Sequence, residues 1–139
     1  MAASKHAPTQ EDFAQAAALR EALRLFQRRS DEVTAANGLT SRTYHLLLMI
    51  KTARGGGERI GLAELEQRLQ LGKSTVTELV LRSEQRGLVR RDLDRSRRRG
   101  IAIRLTARGE QRLRAVVAEL GDERRGLIEL LGQLGQRDI

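Results

Sequence analysis

The stretch LAELEQRLQLGKSTVTELVLRSEQRGLVRRDLDRSRRRGIAIRLT, from Leu62 to Thr106, decides the fold of this chain. Leu65 and Leu69 stand four apart, which places them on one side of a short helix over 62–70. Leu71, Gly72 and Lys73 make a turn. A second helix follows over 74–86 and stops at Gly87, because glycine accepts the left-handed backbone of a helix terminus. Residues 88–91 and 101–105 are apolar or β-branched and flank a polar loop, which predicts a two-stranded ribbon. Helix, tight turn, helix, strand, basic loop, strand is the order of a winged helix-turn-helix.

On a wheel of about 100° per residue, Val76, Leu79, Val80 and Ser83 share one face of the second helix. That face can pack on Leu65 and Leu69. Ser74, Glu78, Arg82 and Gln85 take the opposite face, with Thr75 and Thr77 at its flanks. Such a face suits a DNA major groove, where the helix N-terminus adds partial positive charge near phosphate. Arg82 can reach a guanine edge or a phosphate. Glu78 can accept from a cytosine amino group, or simply hold Arg82 at i,i+4. Leu81 lies near the outward face although it is apolar, and two readings stay open for it: contact with a thymine methyl, or cover for a neighbouring helix.

Between residues 90 and 99 stand six arginines and two aspartates, a local charge of +4 within an overall +8. A charge run of this kind is usually a solvated loop. At a ribbon tip beside a candidate recognition helix, its arginines can instead enter a narrow minor groove, where the potential is most negative. Asp92 and Asp94 are expected to orient those arginines. The candidate DNA-binding set is Lys73, Ser74, Thr75, Thr77, Glu78, Arg82, Arg95, Arg97, Arg98 and Arg99.

Outward from this stretch the pattern is helical. Residues 1–10 hold the only proline and no apolar period, and are expected to form a disordered tail. Ala16, Leu19, Leu23, Phe26 and Val33 then repeat at about 3.5 residues, with Ser30 in register, as in helices that pack on helices. Asn37-Gly38 is a stop, and Thr40 or Ser41 caps the next helix, which carries Leu46, Leu47, Met49 and Ile50. Residues 54–58 form a glycine-rich break. After Thr106, Leu113, Val117, Leu120, Leu127, Leu131 and Leu134 repeat the stripe, interrupted by Arg124. Gly121-Asp122 is expected to split this region, with Asp122 as the new cap. The fold class is therefore mainly α: one winged helix-turn-helix domain over 11–139. Its DNA-binding lobe spans about 38–106, and its terminal dimerisation helices about 11–36 and 107–139.

At 139 residues the chain is long enough to bury a core. Lysine and arginine number 26 against 18 acids, and lysine occurs only at Lys5, Lys51 and Lys73. Arginine forks bind phosphate and guanine bidentately, although genome composition also raises arginine content. The absence of cysteine excludes disulfides, thiol chemistry and cysteine metal sites. No apolar run reaches membrane-spanning length and the first residues carry no apolar leader, so a soluble, cytoplasmic protein is expected. The only histidines are His6 and His45. No metal cluster, phosphate loop or catalytic constellation is legible, so neither a cofactor nor an enzyme activity is expected.

Four segments together resemble the MarR family of bacterial transcriptional regulators across nearly the whole chain. Gly38-Leu39-Thr40 with Tyr44 and Leu47 is similar to the start of the family's second helix. Residues 72–80, GKSTVTELV, are similar to its recognition helix. Residues 86–91, RGLVRR, are similar to the turn into the wing. Arg98-Arg99 followed by residues 105–109, LTARG, is similar to the wing's exit into the dimer helix. The resemblance implies a homodimer built from the first and last helices. It also implies a near-palindromic double-stranded DNA site, and a pocket for a small aromatic or anionic effector that loosens DNA binding. Tyr44 and His45 either line that pocket, or Tyr44 packs half-buried while His45 is solvated. Two departures stand out. Arg97 takes the place of the family's usual acid, which implies a missing intraloop salt bridge and a more mobile wing. Ser83 replaces a usual leucine, which implies weaker packing of the recognition helix.

The function expected is that of a sequence-specific regulator, a homodimeric repressor released by such an effector. Two rivals come from other classes: an architectural DNA-coating protein, and a helical interaction protein whose basic loop binds any polyanion.

Overall fold

The computed structural model describes residues 6–97 and 100–136. Among them the chain forms α1 (Gln10–Ala36), α2 (Ser41–Lys51), β1 (Arg59–Ile60), α3 (Leu62–Leu69), α4 (Lys73–Gln85), β2 (Val89–Leu93), β3 (Ile101–Leu105), α5 (Ala107–Glu119) and α6 (Gly121–Gln136). The backbone clusters into two compact units. One holds the chain up to Ser30 and from Leu120 onward; the other holds Asp31–Glu119. No helix among the described residues is long and apolar enough to cross a membrane.

In the larger unit the core is aliphatic. Leu46, Leu47, Ile50, Ile60, Leu65, Val76, Leu88 and Ile103 are fully buried. α2 begins where Thr40 Oγ1 accepts the N–H of Thr43 at 3.1 Å, so Thr40 is the cap and Ser41 the first helical residue. Gly38 (φ +73°) and Gly87 (φ +76°) end α1 and α4 in the left-handed backbone that disfavours a side chain. α3 ends instead on Gln70, at φ 56°, where a glycine is usual.

The ribbon is a sheet of three strands, not two, in the order β1-β3-β2. Val89 to Leu93 pair antiparallel with Leu105 to Ile101, and Arg59 and Ile60 pair with Arg104 and Ile103 on the other edge of β3. A two-residue strand carries no alternation of its own. It exists because Ile60 is drawn into the core beside Ile103, leaving its backbone to pair with the free edge. α5 is capped by Thr106, whose Oγ1 accepts the N–H of Gly109 at 3.1 Å and donates to Gly87 O at 2.6 Å.

In the smaller unit α1 starts earlier than a tail to residue 10 implies. The Thr9 N–H donates to Asp12 Oδ2 at 2.7 Å and the Asp12 N–H donates to Thr9 Oγ1 at 3.2 Å, a reciprocal cap. Gln15 Nε2 donates to Leu134 O at 3.0 Å, and Arg29 pairs with Glu123 at 3.1 Å, so α1 and α6 lie side by side. Asp122 is not the cap of α6. It lies in the first turn, exposed, paired with Arg125 at 2.7 Å, because helical backbone resumes one residue earlier at Gly121.

Candidate nucleic-acid interface

α4 presents two chemically distinct faces. Val76, Val80 and Ser83 are buried, while Lys73, Ser74, Glu78, Arg82 and Gln85 are exposed and Thr75 and Thr77 half-buried. The inward residues seat α4 on α3 and α2, and the outward ones form a polar strip along its whole length. Arg82 pairs with Glu78 across one turn at 2.5 Å, the i,i+4 alternative of the two read from the sequence. Both side chains stay well exposed, so the pair is worth only about 0.3–0.5 kcal/mol and yields readily to a competing anion. Leu81 is 37 % exposed on this helix.

Two arginines that sequence patterning did not single out join the strip. Arg42, in the first turn of α2, and Arg86, at the end of α4, border with Arg82 a cavity of about 330 Å³. Arg42 could have been found from its place two residues after the Thr40 cap. Arg86 could have been found from its i,i+4 spacing to Arg82.

The base of the wing is fixed by ion pairs. Arg91 in β2 donates to Glu84 of α4 at 3.0 Å, binding strand to helix. Asp92 faces Arg104 at 3.1 Å and Arg90 at 3.8 Å, so it orients strand arginines, not those of the loop. The loop itself is a tight turn: Asp94 N–H to Gly100 O at 2.8 Å, Arg97 N–H to Asp94 O at 3.1 Å, and Gly100 N–H to Arg97 O at 2.9 Å. Asp94 accepts from the Ser96 N–H at 3.1 Å and the Ser96 hydroxyl at 2.6 Å. These bonds, with Arg97 and Arg59 nearby, hold its carboxyl below the ordinary aspartate range.

Arg95 is exposed at the turn, with no ion pair among the described residues. Arg97 is different. Its Nε donates to Asp94 Oδ2 at 3.0 Å and a terminal nitrogen to Arg59 O at 3.0 Å, so it folds back toward β1 instead of projecting outward. The positions of Arg98 and Arg99, also expected to touch DNA, lie outside the described residues. Tyr44 is buried at 8 % exposure in α2, more deeply than half-buried packing implies, and His45 is exposed beside it, ring centroids 5.8 Å apart.

No family model and no curated protein matches the sequence. Solved structures do. AbsC, a MarR family transcriptional regulator from Streptomyces coelicolor, superposes with a TM-score of 0.77 at 26 % identity, over 96 % of this chain and 91 % of that one. A MarR family protein from Bacillus stearothermophilus gives 0.70 at 25 % identity, over 90 % and 83 % of the two chains. Sco3205, a MarR family regulator from Streptomyces coelicolor solved in complex with DNA, gives 0.74 at 24 % identity, over 96 % and 86 %. The chain is thus similar in fold, over nearly its whole length, to MarR family transcriptional regulators.

The two departures from the family pattern turn out differently from what the sequence implies. The intraloop salt bridge is present, made by Arg97 itself to Asp94, which compensates for the missing acid. Ser83 is buried at 1 % exposure, and its hydroxyl has no hydrogen-bond partner among the described residues. A leucine there would bury methyl groups where this chain buries an unsatisfied hydroxyl.

Proposed function

We propose that this protein is a homodimeric, sequence-specific double-stranded DNA-binding regulator of transcription. The observation that carries the reading is the exposed polar strip of α4 beside an arginine-bearing wing held to it by the Arg91–Glu84 pair. Placed in a major groove, that strip offers Lys73, Ser74, Thr75, Thr77, Glu78 and Arg82 to bases and backbone. Arg95 supplies the exposed charge of the wing, and Arg98 and Arg99 join it on the sequence alone. That Sco3205 is solved with DNA supports the same use of the same fold here.

Self-association is supported by the smaller unit. Phe13, Leu23, Leu25, Ile128 and Leu131 are all large, apolar and exposed there, at 37 to 69 %. Water-exposed apolar side chains in this number on a helix pair favour cover by a second copy, and two-fold pairing is the commonest closed arrangement. A two-fold protein reads an inverted repeat with half-site centres about 10 bp apart, or a multiple of that.

The protein acts as a repressor, released when a small aromatic or anionic compound binds beside Tyr44 and His45. Gel shifts with an intergenic inverted repeat against random duplex at physiological salt test the reading. A regulator keeps a large specificity ratio as salt rises, whereas a coating protein or a polyanion binder loses both complexes together. Adding simple aromatic acids at millimolar concentration should dissolve the specific complex; if none does, the effector part falls.

A further inference from the structure

The sequence counts Arg97 among the wing's DNA-binding arginines, but its geometry gives it other work. Its guanidinium joins the loop carboxylate of Asp94 to the carbonyl of Arg59, 38 residues earlier in the chain. It also lies against Gly61, the residue preceding α3, where a Cβ would meet Arg97 Nη1 at 3.2 Å and Cδ at 3.5 Å. Arg97 and Asp94 keep 30 % and 17 % side-chain exposure, so the bridge is partly shielded from solvent. Arg59 reaches the same carboxylate at 3.9 Å.

We infer that Arg97 is a positioning residue: with Asp94 it latches the wing loop to the β1–α3 junction, and so sets where the wing stands relative to the helix-turn-helix. A guanidinium can do this because its planar fork donates in two directions at once, to a carboxylate and to a carbonyl, which an ammonium does less well. Two of its groups are thereby committed within the protein, while Arg95 on the same turn remains exposed for phosphate. The absence of a side chain at Gly61 leaves the room that the Arg97 stem occupies.

The inference rests on the DNA-binding reading for its consequence, but not for its structural part, and the experiment separates the two. In full-length protein, Asp94→Asn keeps an oxygen for the Ser96 N–H but offers no carboxylate to Arg97. If Arg97 contacted DNA directly, removing a nearby negative charge would strengthen binding. The latch gives the opposite sign: Asp94→Asn weakens binding to the inverted repeat roughly three- to tenfold, Arg97→Ala does the same, and the double variant is no worse than either.

Amide hydrogen exchange in free protein supplies the readout that needs no DNA. The Asp94, Arg97 and Gly100 amides, all bonded within the turn, should exchange faster in both variants, and Arg97→Lys should restore protection only in part. Unchanged exchange in both variants overturns the latch whatever DNA does. Faster exchange with stronger binding by Asp94→Asn overturns the positioning role. If wild-type protein binds no duplex specifically while the exchange result holds, the latch stands and the regulator reading falls.

Discussion

Substituting Gly109 by alanine should be among the most damaging changes a single methyl group can make to this protein. Gly109 lies in the first turn of α5, where that helix rests on the turn between α4 and β2. A Cβ there would sit 2.1 Å from Leu88 O and 3.1 Å from Leu88 C, and real Cβ atoms essentially never come within 3.0 Å. The obstacle is backbone, not a side chain able to rotate away, so the helix and the turn must part by roughly 1 Å. The same carbonyl accepts the Thr106 N–H at 3.1 Å, and the Thr106 hydroxyl donates to the neighbouring Gly87 O at 2.6 Å. Opening the contact strains both bonds.

Overpacking of this kind costs about 1–3 kcal/mol. Two compromised hydrogen bonds cost about 1 kcal/mol each. The sum, about 3–5 kcal/mol, is a large part of a typical stability of about 5–15 kcal/mol. In a chain of this length it should lower Tm by about 10–20 °C. Urea and thermal unfolding followed by circular dichroism measure it. Gly132→Ala is the control: this exposed glycine lies in α6 with nothing within 4 Å of its Cβ, so alanine there should be neutral or gain up to about 1 kcal/mol. A Gly109→Ala protein within about 1 kcal/mol of wild type would refute the steric reasoning.

Other consequences follow from the same geometry. Arg82→Ala should cost about 1–3 kcal/mol on the cognate repeat and less on random duplex, read by fluorescence anisotropy at fixed salt; an equal loss on both makes Arg82 a phosphate contact. Ser83→Ala should be neutral or stabilising by up to about 1 kcal/mol in urea titrations, since it removes a buried hydroxyl without a partner. Lys51 of α2 bridges Glu58 and Glu110. Its hydrogen bond to Glu110 is the chief cause holding that carboxyl below the ordinary glutamate range, and the same bond raises Lys51. The Glu110 contribution is therefore present above the ordinary carboxylate pKa and lost as pH falls through the depressed one; the Lys51 contribution is present below the ordinary lysine pKa and lost as pH rises through the raised one. Glu110→Gln should accordingly flatten the fall in stability between about pH 5 and pH 2, and an unchanged acid limb would show that the bridge contributes nothing. Sedimentation at micromolar concentration should find a dimer, and deletion of residues 127–139 should give monomers or aggregates that no longer bind the repeat; a monomeric full-length protein contradicts the two-fold operator.

By itself the sequence determined the helices, several of their ends and the ordering of the winged unit. Those signals are local: apolar residues three and four apart, glycines at Gly38 and Gly87, the hydroxyl at Thr40. Each acts within a turn of helix, so each can be read without knowing what lies across the core. The two faces of α4 were legible for the same reason. Tertiary structure decided what depends on distant partners. β1 exists only because β3 offers an edge more than 40 residues later. Gln70 and Glu58 take left-handed backbone that their residue types do not announce. The tightness at Gly109 appears only when α5 meets the Leu88 carbonyl. Arg97 reads as one more cation in a basic run until Arg59 O and Gly61 are brought beside it, and its neighbour Arg95, chemically identical, stays exposed. Charge alone cannot tell a guanidinium that binds outward from one that binds inward; only the acceptors within its reach do.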